Sequence, residues 1–308
     1  MFTPRHIIET LADNVRKTRN PFGLKKSSLN TWWKGGSIPS DGDALLFTGL
    51  MYQLVPYIKA TTGYLEKYEN TPKADYLRYG KFIPKTLTNL GLNLIVSGQD
   101  KKSFNVILED IVKILRSSGV SFGYDPELDD YSGVLLYDLG DQENFVAHAR
   151  YVAEKLQSRG IKKLITVDPH TTYAVKVLYP KYTGISFEVQ TYFEVARLNG
   201  RQDSKEVTLH DPCFYGRYLH LSDVPADLLG SLGFSCAQIN TSGAFTNCCG
   251  GPAESLSPEL AEEVGKRRVA ELQEPGAPII TMCPICMANL EKSGATVQDL
   301  SALLVQCT

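Results

Sequence analysis

Leu164-Ile165-Thr166-Val167-Asp168-Pro169-His170-Thr171 is matched, 115 residues further on, by Ile279-Ile280-Thr281-Met282-Cys283-Pro284-Ile285-Cys286. Each stretch is an apolar run of strand length, then a turn residue, then a proline where a helix would begin. Proline suits the first helical position, because its missing N–H has no partner to lose there and its φ is already helical. Both stretches therefore read as strand, tight turn, helix. Working outward, Tyr131-Ser132-Gly133 falls opposite Cys248-Cys249-Gly250, and Thr48-Gly49-Leu50 opposite Asp211-Pro212-Cys213, at offsets of 117 and 163 residues. Two homologous halves follow. The change of offset puts about 46 extra residues in the first half, between Thr61 and Asn105.

Strands and helices alternate in both halves. Leu45 to Thr48, Ile161 to Val167, Val207 to His210 and Ile279 to Met282 read as strands; Phe104 to Ser117, Glu143 to Arg159, Pro258 to Glu271 and Pro284 to Glu291 read as helices. Such alternation predicts parallel strands with helical crossovers, an α/β fold of two Rossmann-like halves. The expected organisation is an N-terminal arm over residues 1–40, a first half over 41–200 and a second over 201–308, parted in the polar stretch Asn199 to Lys205. In the arm, Ile7, Ile8, Leu11 and Val15 form a helical apolar stripe, expected to pack on its own domain.

The 308 residues can bury a sizeable core. With 32 basic against 34 acidic residues, a net charge of -2, and no long run of one sign, the chain lacks the electrostatic footprint of a nucleic-acid binder. Ala44 to Ile58 is uncharged but too short to span a bilayer and is broken by Gly49, Gln53 and Pro56; Leu228 to Ala253 is broken by Ser, Asn, Thr and Gly. Arg5, His6, Glu9 and Asp13 come too early for a secretory signal, so a cytoplasmic location is expected.

Five of the seven cysteines make a spaced set in the last third of the chain: Cys213, the vicinal pair Cys248 and Cys249, then Cys283 and Cys286. Thiolates from three loops converging on one point are metal or iron-sulfur ligands, where a disulfide framework would suit a small secreted domain. Cys213 and Cys283 would stand at the C-terminal ends of parallel strands, where open α/β sheets bind ligands. Cys236 reads as a small buried hydrophobe and Cys307 as a tail residue.

Cys213, then Cys248-Cys249-Gly250-Gly251, then Cys283-Pro284-Ile285-Cys286, with His210-Asp211-Pro212 and Arg217 beside the first, resembles the cysteine-rich or CCG domain of the B-type and D-type polypeptides of heterodisulfide reductase. Arg19-Asn20-Pro21-Phe22-Gly23 and Trp32-Trp33 resemble the segment before the first CCG unit of two-repeat members. The resemblance implies a single non-cubane [4Fe-4S] cluster held by the five cysteines. Five soft, anionic thiolates exceed the four of an ordinary cubane and suggest bridging. Zinc stapling the loops is the alternative. His210 and Arg217 are candidates to stabilise the negative charge of a cluster. Gly250 would let backbone N–H groups approach the sulfides.

The first half departs from the family pattern. Leu50, Tyr131, Ser132, Asp168 and Thr171 stand where ligands would be, so it cannot hold a cluster. Asp168 and His170 are expected there as surface loop residues. The resemblance implies a redox subunit of a heterodisulfide-reductase-like complex working on thiols, disulfides or sulfur compounds, with a flavin subunit, a ferredoxin-like subunit and a lipoate-carrying protein as partners. It would sit in the cytoplasm or be held to the cytoplasmic membrane face by them. A substrate site would show as an open cavity facing the cysteines. The alternatives are an electron-transfer subunit of a flavin-dependent lactate, glycolate, glycerol-3-phosphate or succinate dehydrogenase complex, or a zinc-stapled structural subunit whose tyrosines, several between Tyr64 and Tyr79, serve a contact face.

Overall fold

The computed structural model describes residues 3–68, 71, 79–80, 82–200, 202 and 204–308. Its strands are β1 (Ala44–Phe47), β2 (Phe122–Gly123), β3 (Lys163–Thr166), β4 (Glu188–Thr191), β5 (Lys205–Leu209), β6 (Phe234–Cys236), β7 (Ile279–Thr281) and β8 (Val297–Asp299). They form two four-stranded sheets, ordered β2-β1-β3-β4 and β6-β5-β7-β8. Every pairing is parallel. The same order in both sheets is the structural form of the internal repeat. In each, the chain steps to one side of its first strand and returns to the other, which makes the gap between β1 and β3, or between β5 and β7, a topological switch point.

The central strands are short and apolar because helices cover both faces. Leu45, Leu46 and Phe47 of β1 and Ile279 and Ile280 of β7 are buried. β2, β4, β6 and β8 escaped the sequence reading. At two to four residues, with Glu188, Gln190 and Gln298 among them, they lack the long apolar run that marks the inner strands. The observed helices Gly98–Ser117, Gln142–Ser158, Pro258–Gln273 and Pro284–Lys292 contain or closely overlap the expected ones.

Two backbone details confirm the alignment of the halves. Gly133 (φ 85°) and Gly250 (φ 88°) are left-handed residues at the start of equivalent turns. Asp168 and Cys283 both cap a helix whose next residue is proline, each accepting from the amide three residues on: Asp168 from Thr171 at 3.0 Å, Cys283 from Cys286 at 3.4 Å.

The N-terminal residues pack on the first half. Helix Pro4–Thr18 buries Val15 and Ala12. Trp32 packs on Tyr124 with ring centroids 4.9 Å apart, and Lys26 reaches Asp130 at 2.7 Å. One hydrophobic core runs through both halves. Polar contacts cross the seam as well: the Tyr52 hydroxyl donates to Asp299 at 2.7 Å, and the hydroxyls of Thr172 and Tyr215 share a hydrogen bond at 3.2 Å.

Of the insertion expected between Thr61 and Asn105, residues 69–70, 72–78 and 81 lie outside the described residues, and part of the expected tyrosine face with them. The rest extends helix Met51–Tyr68 and supplies helix Lys85–Ile95. No helix among the described residues is long and apolar enough to cross a membrane.

Candidate metal centre

The five cysteines meet at the switch point between β5 and β7. Beyond the end of β5, His210-Asp211-Pro212 leads to Cys213, which opens a π-helical turn, Phe214–Tyr218. Cys283 follows β7 directly and caps helix Pro284–Lys292, so Cys286 lies one turn up the same helix. Cys248 and Cys249 arrive on the loop between β6 and helix Pro258–Gln273. Gly250 fixes the exit of that loop: its φ of +88° is strained for other residues, and a Cβ would stand 2.4 Å from the Ala261 carbonyl oxygen.

All five thiols are free. Their sulfurs lie close enough to influence one another's ionisation in series, Cys213 with Cys248, Cys248 with Cys249, Cys249 with Cys286, and Cys286 with Cys283. Cys249, Cys283 and Cys286 are buried, while Cys213 and Cys248 are half-buried. Hydrogen bonds from Cys213 and Cys249 hold the Cys248 thiol down to about 2, and the Gly250 amide, 3.3 Å from its sulfur, helps. Burial works against ionising Cys283, but Cys286 and the facing His170 outweigh it and hold the thiol down to about 5. Cys213 and Cys249 are pushed up, chiefly by the neighbouring Cys248, and Cys286 by Cys249 and Cys283. Two thiolates stabilised among three thiols are a cluster of soft donors ready for a cation.

His210 stands beside the thiols as a neutral donor. Its Nδ1 accepts from Arg268 Nε at 3.1 Å, and burial with the Arg268 charge pushes the imidazole down to about 3, so the ring is neutral. With Nδ1 occupied as acceptor, the proton sits on Nε2, which is buried without a partner. Ligand atoms of His210, Cys249 and Cys286 lie within 4.8 Å of one another. The orphaned N–H beside the thiols is the donor that a bound anionic sulfur group would satisfy. His210 therefore offers a neutral hydrogen bond, and the cation behind it is Arg268, which the sequence reading missed. Arg268 has a fully buried side chain paired with Glu271 at 2.7 Å, and also donates to Thr241. Its placement midway along an amphipathic helix gave no sequence signal. Arg217 is exposed and spends its guanidinium on the carbonyl oxygens of Ala244 and Thr246, at 3.3 and 2.6 Å; it ties down the approach to Cys248.

The vacated site in the first half is closed. Leu50, Tyr131, Ser132, Asp168 and Thr171 are all at most 2 % exposed. The Gly49 turn packs so closely on Thr171 that a Cβ on Gly49 would meet Thr171 Oγ1 at 2.1 Å. Asp168 and His170 are not surface residues: they are 0 % and 5 % exposed. The seam between the halves covers them, and His170 Nδ1 lies 3.9 Å from Cys283 Sγ and 3.8 Å from Asp168. Burial disfavours its charge, yet Cys283 and the two acids Asp168 and Asp138 raise the imidazole to about 9. The first half thus lends the site a cation facing Cys283. Cys307 is also buried, at 1 % exposure, its backbone packed against Gly200, whereas Cys236 is half-buried at the end of β6.

A cavity of about 380 Å³ lies close to the cysteines, although none of the five forms its wall, in contrast to the cysteine-facing cavity expected of a substrate site. His170, Gly251 and Ile285 form part of its wall; a Cβ on Gly251 would stand 3.4 Å from Cys249 Sγ. Met51, Leu54, Ile58, Leu92 and Ile7 make much of the remainder.

Residues 207–291 match the family described as the cysteine-rich domain, CCG. The chain is 27% identical over 202 residues to a probable membrane-anchored ferredoxin of Chromohalobacter salexigens, covering 60% of this chain and 30% of that one. It is 30% identical over 200 residues to the EtfAB:quinone oxidoreductase of Syntrophomonas wolfei, covering 59% and 28%. To one of the subunits of the dihydromethanophenazine:CoB–CoM heterodisulfide reductase of Methanosarcina barkeri it is 30% identical over 178 residues, covering 51% and 44%. The matched stretch thus spans less than half the length of each of these relatives.

Proposed function

We propose, with residues 207–291 belonging to the cysteine-rich CCG family as the premise, that the chain is an iron-sulfur redox subunit of a larger oxidoreductase complex. Cys213, Cys248, Cys249, Cys283 and Cys286 hold the cluster, and its finer identity is a single non-cubane [4Fe-4S] group. The observation that carries this reading is the meeting of five free thiols, from three loops, at one switch point. The residues fit such a group. A structural zinc site needs four ligands and leaves a fifth thiol idle. The unpartnered Nε2–H of His210 and the amides of Gly250 and Cys286 are donors suited to sulfur.

When bound, the cluster supplies one-electron storage and transfer. The protein's part is to orient and to set the charge around it. His210 donates without adding charge, Arg268 fixes its tautomer, and His170 brings a cation to Cys283 from the other half. Positive charge and hydrogen bonds near a cluster raise its potential. Relatives named as part of a heterodisulfide reductase and as a quinone oxidoreductase support placement in a multi-subunit enzyme. Electrons would pass between a flavin or ferredoxin-like partner and a thiol, disulfide or other acceptor. The cavity beside Gly251 and His170 favours a small molecule acting at this site over a cluster that merely relays.

Iron, acid-labile sulfide and zinc per chain, measured on anaerobically purified protein with EPR of both redox states, test the reading. About four iron and four sulfide are expected, lost in Cys249→Ser. One zinc without iron would defeat it.

A further inference from the structure

The cavity between the halves is apolar over most of its wall, and no lysine or arginine lines it among the described residues. His170, the cation in the wall, is already faced by Cys283, Asp168 and Asp138, so the desolvation of a carboxylate, phosphate or sulfonate group would go uncompensated. The polar residues present include Asp138, Glu254 and His170. Glu254 is held by Asn289, whose amide donates to it at 2.7 Å once oriented to satisfy both neighbours. Asp138 has no hydrogen-bond or ion-pair partner among the described residues, and it lies close enough to His170 for their charges to interact. An unpaired carboxyl beside an imidazole asks for a ligand with hydroxyl or carbonyl groups.

Gly251 and Ile285 of the cavity wall lie against the thiol region, a Cβ on Gly251 standing 3.4 Å from Cys249 Sγ. Helix Lys85–Ile95 forms the outer wall. It turns Thr88, Leu92 and Ile95 inward, while Leu87, Leu90 and Leu94 on its other side are 58%, 59% and 77% exposed. A surface helix apolar on both sides continues the cavity's character out to the surface.

We propose that this cavity binds a lipophilic quinone, uncharged, with its ring against His170 and Asp138 and its chain along Leu54, Ile58 and Leu92. The proposal deepens the redox reading and rests on it: a neutral molecule that carries an apolar chain, exchanges protons through ring oxygens and sits beside a redox centre is of the quinone class. His170 donates to a ring oxygen, and Asp138 accepts from the hydroxyl of the reduced form.

Equilibrium binding of decylubiquinone tests this with a readout that does not depend on the cluster, and iron content is measured on the same samples. Saturable binding near one per chain is expected, with dodecanoate, a chain of similar length carrying a carboxylate, binding about tenfold more weakly. Filling the cavity from two different helices, with Leu92→Trp and separately Thr61→Trp, should each weaken binding about tenfold, whereas Leu87→Ser on the outer side should not. Circular dichroism identifies any variant that fails to fold, and the other then decides. Absence of saturable quinone binding by iron-loaded protein would overturn the proposal while leaving the cluster intact. So would dodecanoate or didecyl disulfide binding as tightly as the quinone, or binding unchanged in a folded Trp variant. Zinc in place of iron would instead strike at the redox reading.

Discussion

Replacing Arg268 by methionine keeps most of its volume and removes its charge and five donors. In the folded protein those donors serve His210 Nδ1, the carbonyl and hydroxyl of Thr241, the Thr246 hydroxyl and Glu271, all between 2.7 and 3.3 Å. Removing one member of a buried ion pair costs about 3–5 kcal/mol. Glu271 keeps 11% of its side chain exposed, so water recovers part of its solvation and the lower end applies. We expect a loss of about 3 kcal/mol, a shift of about 1 M in the urea midpoint at a slope near 3 kcal/mol/M. The measurement belongs on metal-free protein, so that it reads the scaffold alone. Trp32 and Trp33 both lie in the arm, so far-ultraviolet circular dichroism reports the second half better than fluorescence. Adding Glu271→Gln should restore part of the loss by removing the orphaned charge. A loss below about 1 kcal/mol, within reach of a single neutral hydrogen bond, would refute the view that Arg268 braces the loops carrying Cys213 and Cys248.

Gly250→Ala meets both a left-handed φ and the Ala261 carbonyl, so a loss above about 2 kcal/mol is expected, along with reduced iron per chain after reconstitution; normal iron at wild-type stability would contradict the loop geometry. Tyr52→Phe removes the hydroxyl that reaches Asp299 across the seam and should cost about 1–3 kcal/mol, visible as a lowered urea midpoint. Burial pushes the Glu254 carboxyl up to about 7 from 4.5, with Lys292 opposing. A raised carboxyl contributes stability that is complete below 4.5 and is lost as pH rises to about 7. The stability of Glu254→Gln relative to wild type should therefore improve across that window, and a constant difference would show the carboxyl to be unperturbed.

The inner strands and long helices were legible because each is an apolar run or stripe followed by its own capping signal, as in Thr281 to Pro284. The five ligands were legible because cysteine is scarce and their spacing is unusual. Edge strands such as Val297–Asp299 were not, since three half-polar residues acquire strand geometry only by pairing with β7. Burial at the seam was equally hidden. Asp168 and His170 look like loop residues in the chain, and only the docking of one half on the other places an imidazole 3.9 Å from Cys283. Arg268 was missed because a charged residue in an amphipathic helix reads as solvent-facing until the fold puts His210 beneath it.

The close packing of the Gly49 turn on Thr171 bears on what this chain could become. Where the second half gathers its thiols, the first is filled by its own chain: Gly49 stands within a methyl's width of Thr171, and Asp129 accepts from the amides of Thr48 and Gly49 at 2.8 and 3.1 Å. Placing cysteine at positions 50, 131, 132, 168 and 171 would put sulfur among side chains that are all at most 2 % exposed, and would sacrifice the imidazole's companion Asp168. Such packing works as a ratchet: a chain built this way can refine its one centre, but gaining a second would need the Gly49 turn reopened before any ligand could be of use.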